Sequence, residues 1–174
     1  MARKIQINVS ELERSHATKV INEFSNNQYL VVGRWGLVTD SYSIYSRSGE
    51  LLCEIKQATL GTSPRFDIYY LDKLVGTSII NLSLHYSTIY IKGINWLIIG
   101  NEVKQNYSII KKQKRIGTIH SFNTHGDVVR IISTDNINDE SIMVAIAAIL
   151  NHPVTTSQLN ISKNPFNHFN PTIS

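Results

Sequence analysis

A chain of 174 residues with 17 Lys and Arg against 13 Asp and Glu has a formal net charge of +4. That is mild, since a nucleic-acid module usually concentrates more Lys and Arg on one face, so anionic partners are permitted and not demanded, and the 42% apolar and 17% charged content fits one soluble domain with flanking segments. The single cysteine, Cys53, excludes an intramolecular disulfide, and Met1-Ala2-Arg3-Lys4 opens no apolar signal-peptide run, so the expected location is the cytoplasm, free or peripheral at a membrane.

Ile5, Ile7 and Val9 alternate as a short strand. Ser10 and Glu13 then match a capping box and predict a helix with Ala17, Val20, Ile21 and Phe24 on one face and Glu11, Glu13, Arg14 and Lys19 elsewhere. Asn26-Asn27 breaks that pattern, so residues 1–27 are expected to form a strand and an amphipathic surface helix beside the main domain.

From Gln28 to Thr134 the chain reads as strands. Tyr42-Ser43-Ile44-Tyr45, Phe66-Asp67-Ile68-Tyr69 and Tyr107-Ser108-Ile109-Ile110 each open a hairpin, returned by Leu51–Lys56, Leu74–Ile80 and Arg115–His120. Ser48-Gly49, Asp72-Lys73 and Lys112-Gln113-Lys114 mark the turns. Further strands are predicted at Leu30–Arg34, Thr88–Lys92, Trp96–Gly100 and Val128–Ser133. The irregular spacing of the hairpins argues against a propeller or solenoid, and closure into a barrel removes exposed sheet edges.

The segment from Ile142 to Leu150 has no polar side chain and is too short to cross a bilayer, which takes about 20 apolar residues. Apolar on every side, it predicts a helix over 139–151 enclosed by the strands, with Asn138 or Asp139 as N-cap and Pro153 as stop. Burying its six large apolar side chains contributes on the order of 10–18 kcal/mol gross, comparable with the net stability of a whole domain. The fold class is therefore mainly β with helix (α+β): a closed antiparallel β-barrel around a central hydrophobic C-terminal helix, occupying 28–153. The Asn-rich stretch 154–174 reads as a flexible tail.

Asp40-Ser41-Tyr42-Ser43-Ile44-Tyr45, Gly49 to Lys56 and Pro64-Arg65-Phe66-Asp67-Ile68-Tyr69 resemble the LURP-one-related family, bacterial members included. So do Ile91 to Gly100 and Tyr107-Ser108-Ile109, in the same order. The resemblance implies a tubby C-terminal-like fold, and through tubby domains and scramblases it implies phosphoinositide head groups or membranes as partners. No tubby phosphoinositide-binding motif matches residue by residue, so it assigns no lipid-binding residue here.

Among the residues themselves, the candidate anion- or lipid-binding group is Lys104, Lys111, Lys112, Lys114 and Arg115, with Arg65 and Lys92 as possible additions. Its default reading is a solvated hairpin tip. His120, His125 and Asp127 offer too few ligands for a metal site, and Cys53 lies in an apolar strand pattern suited to a small buried side chain. No nucleophile elbow, phosphate loop or zinc helix occurs, so neither a catalytic residue nor a cofactor is expected. Three readings follow. The first is a non-enzymatic barrel that binds a protein partner or an anionic phospholipid. The second is an enzyme with a dispersed site drawn from residues such as Asp67, His85 and His120. The third is a nucleic-acid-binding module using the same basic hairpin.

Overall fold

The computed structural model describes residues 2–59, 65–82, 87–101 and 105–150. The chain runs β1 (Arg3–Asn8), α1 (Val9–Ser15), β2 (Ala17–Asn22), β3 (Asn27–Gly33), β4 (Ser41–Ser46), β5 (Leu51–Thr59) and β6 (Arg65–Tyr70). It continues through β7 (Lys73–Leu82), β8 (Ser87–Lys92), β9 (Trp96–Asn101), β10 (Asn106–Lys111), β11 (Lys114–Thr124), β12 (Asp127–Thr134) and α2 (Ile137–Ile149). Each strand pairs antiparallel with its sequence neighbours, and β1 pairs with β12 to close the barrel. Ile5 lies opposite Ile132 and Ile7 opposite Arg130 across that closing seam.

Successive side chains of a strand face opposite sides, so each strand turns one set inward. Tyr42 and Ile44, Cys53 and Ile55, Phe66 and Ile68, Trp96 and Ile98, and Tyr107 and Ile109 are all buried in this way. They enclose α2, whose residues from Glu140 to Ile149 are buried. A helix fits so closely only where the wall is thin. At Gly117 an added Cβ would stand 2.7 Å from Met143 Sδ of α2 and 2.9 Å from the Ser133 carbonyl oxygen. The wall thus gives up a side chain where the helix passes.

The N-terminal segment departs from its sequence reading. The helix is there but ends at Ser15, with His16 in the left-handed conformation as its C-cap. Ala17, Val20 and Ile21, assigned above to a helical stripe, form β2, while Phe24 lies in the turn after it. β-branched Thr18, Val20 and Ile21 favour an extended chain, and the alternation that buries Thr18 and Val20 satisfies the barrel wall. β1 and β2 are therefore staves of the barrel and not an appendage to it. The capping box is not formed either. Asn8 caps α1, its Oδ1 accepting from Glu11 N at 2.9 Å, while Ser10 Oγ accepts from Val128 N at 2.9 Å. Asn136 caps α2, two residues ahead of Asn138, by accepting from Asn138 N at 3.1 Å. The tail 154–174 lies outside the described residues.

Because the strands form an antiparallel meander, alternate connections collect at alternate ends. The turns β2–β3, β4–β5, β6–β7, β8–β9 and β10–β11 share one end with the start of β1 and the first turn of α2. We call this the entry end. The opposite end carries α1, which buries Val9 and Leu12, and the β3–β4 loop, whose Trp35 stacks on Tyr42 at 5.9 Å between ring centroids.

Candidate anion-binding surface at one end of the barrel

The basic hairpin is the turn between β10 and β11. Lys112 and Gln113 occupy its two central positions with φ of 48° and 66°, the left-handed pair that suits the twist of a two-residue hairpin. This turn sets the register that places Lys111 directly opposite Lys114, with Ile110 opposite Arg115. Lys112, Lys114 and Arg115 are exposed and Lys111 is half-buried. None of the four ion-pairs with a described residue. Like charges directly opposite on adjacent strands cost stability, on the order of a few tenths to 1 kcal/mol, unless a counter-charge covers them.

The barrel adds cations that are distant in sequence. Arg47 lies in the β4–β5 turn, Lys73 opens β7 and Lys92 closes β8, all at the entry end. Arg65 opens β6 at the opposite end and does not join them. Lys104 lies outside the described residues. Acidic Glu23, Glu50, Asp72 and Asp135 share the entry end, each in a different connection. Arg115 also lines a cleft of about 220 Å³ with Thr118, Ser133, Thr134 and Asp135. A larger groove of about 390 Å³ runs along the outer face of β2–β4 between Lys19, Leu30, Tyr45 and Arg47.

Two charged side chains bind the central helix to the wall, and neither was singled out for that role by its sequence context. At the entry end the Glu140 carboxylate, fully buried in the first turn of α2, lies 2.8 Å from Arg3 Nε. That is a charge contact and not an aligned hydrogen bond. Burial, and then the neighbouring Glu140 carboxylate, push the Tyr29 phenol above its ordinary range. At the other end of the helix Arg130, 3% exposed, donates to the carbonyl oxygens of Ala147 and Leu150 and, at 3.2 Å, to Ser121 Oγ. Burial lowers its pKa to about 10, so it remains charged at neutral pH. The negative group thus sits at the helix N-terminus and the positive one at its C-terminus, where each complements the helix dipole.

The residues of the enzyme reading are placed apart or already engaged. Asp67 on β6 accepts from Thr77 Oγ1 at 2.6 Å, and His120 Nδ1 on β11 lies 2.9 Å from Asn106 Oδ1. His85 lies outside the described residues. Asp127 is engaged by Asn8 at 3.0 Å and Arg14 at 3.0 Å. Among the described residues no three His, Cys, Asp or Glu side chains come together as a metal cluster. Burial pushes the Cys53 thiol up to about 12, which suppresses the thiolate at neutral pH.

No protein-family model matches the chain, and no curated protein matches it. A solved structure of an Arabidopsis thaliana protein is similar over 87% of this chain and 92% of that one, with a TM-score of 0.56 and 10% sequence identity. At that identity the likeness shows the fold alone.

Proposed function

We propose that this chain is a non-enzymatic, LURP-one-related, tubby-like barrel that binds an anionic phospholipid surface through its entry end, peripherally and from the cytoplasm. The observation that carries this reading is the Lys111–Lys114 cross-strand pair. The turn sets Lys111 and Lys114 directly opposite each other, with Lys112 and Arg115 next to them in the chain, and none of the four ion-pairs with a described carboxylate. An array of lipid phosphates would relieve that repulsion, and each cation near an anionic surface contributes about 1 kcal/mol. No described helix is long and apolar enough to cross a membrane.

The test is co-sedimentation with neutral, anionic and phosphoinositide-containing vesicles at low and physiological salt. Anionic vesicles should retain the protein, and replacing Lys111, Lys112, Lys114 and Arg115 by Gln should weaken retention by on the order of a hundredfold or more. Failure to bind every composition would reject the lipid reading and leave a protein partner in its place.

A further inference from the structure

The entry end carries exposed apolar side chains as well as cations. Phe24 is 75% exposed in the β2–β3 turn, Leu71 is 46% exposed in the β6–β7 turn, Leu74 follows it at 56%, and Ile137 opens α2 at 58%. Around the rim they are interspersed with the cationic connections. Phe24 precedes Arg47, Leu71 follows it, and Lys92 and Lys112 come before Ile137.

Local structure holds two of these side chains outward. Asn22 Oδ1 accepts from both Phe24 N and Asn26 N at 3.0 Å, and Ser25 takes φ of 61°, so the loop that presents Phe24 is stapled from within. Leu71 and Asp72 form a two-residue turn with φ of 47° and 61°. Such a turn favours Asn-Gly, and a leucine in the left-handed region is a conformational outlier. The sequence keeps a strained leucine at the tip of a hairpin where a polar residue would be easier.

We propose that Phe24, Leu71, Leu74 and Ile137 insert below the head groups of an anionic bilayer while the cations between them hold the phosphates. The inference rests on the lipid reading above and deepens it. Charge complementarity favours a bilayer over a protein. Cores of protein interfaces are depleted of charge, whereas apolar tips spaced between lysines and arginines suit an anionic interface, where both kinds of side chain are satisfied at different depths. Among the described residues the other end offers less of this combination, with Arg65 as an exposed cation outside any described ion pair. Leu37 and Val38 are exposed there, but the nearby Arg34 pairs with Asp40 and Arg14 with Asp127.

The experiment compares wild type with Phe24→Ser/Leu71→Asn on phosphatidylcholine vesicles with and without phosphatidylserine. In parallel, Phe24→Trp is titrated with phosphatidylserine vesicles carrying brominated acyl chains. The double variant should bind at least about tenfold more weakly and lose the binding that persists in wild type at high salt. Phe24→Trp should show bromine quenching beyond that of wild type, which already contains Trp35 and Trp96. The double variant should fold, since both positions are exposed and asparagine relieves the strain at position 71, and its thermal midpoint reports this directly. Binding by wild type that is matched by the double variant, or no added quenching in Phe24→Trp, overturns insertion and leaves a purely electrostatic surface. Absence of binding by wild type instead overturns the lipid reading on which insertion rests.

Discussion

Arg130 brings a full charge to the inner face of the barrel wall, and its partners are carbonyl oxygens of α2, not a carboxylate. Desolvation disfavours that charge, which the lowered pKa records. Three donations and the negative end of the helix dipole offset the cost. Arg130→Met keeps the volume and removes the donors, leaving the Ala147 and Leu150 carbonyls buried without them. The unfolding free energy should fall by about 2–4 kcal/mol, seen as a lower urea midpoint. An unchanged midpoint would show that the carbonyls find other donors. Arg130 was not legible in the sequence. Within Asp127–Thr134 it looks like an outward charge on a strand, and only the passage of α2 behind the wall gives an inward arginine its partners.

α1 shows how a short element is held by residues far from it in sequence. Seven residues are too few for an independent helix, and it is anchored by burial of Val9 and Leu12 and by Asp127, which engages Asn8 and Arg14. The Asn8 hydrogen bond, then Arg14, holds the Asp127 carboxyl below its ordinary range. A depressed carboxyl pKa stabilises the fold above the unfolded value, and that contribution is lost as pH falls through the folded value. Between neutral pH and about pH 4 it is fully present. Asp127→Asn should therefore flatten the acid limb, its thermal midpoint falling less steeply below about pH 4 than that of wild type. The helix itself was only partly legible. Its start was read near Ser10, but its end was not, because residues 17–24 fit either period. Pairing of β2 with β1 and β3 settles the matter, and no local signal reports it.

At the scale of the molecule, barrel and helix are one core. Ala145, at the middle of α2, has no exposed surface. Ala145→Asp should give insoluble or molten protein, because an unpaired buried charge costs more than a domain of this size has in reserve. A soluble variant with wild-type near-ultraviolet circular dichroism would contradict the enclosed helix. The same architecture assembles the candidate membrane surface, since each hairpin brings its tip to a shared rim.

The sequence by itself determined what depends on neighbours in the chain: the hairpins, the apolar helix and the clustered lysines of 111–115. Periodicity and turn chemistry act over a few residues, so they can be read without knowing the fold. Tertiary structure alone decided which strand closes the barrel, since β1 and β12 meet across more than a hundred residues. It also set which ends of the strands coincide, joining Lys73 and Lys92 to the basic hairpin and sending Arg65 away from it. Strand pairing is a non-local choice, made by the joint burial of all inward faces around α2 and therefore not written in any one segment.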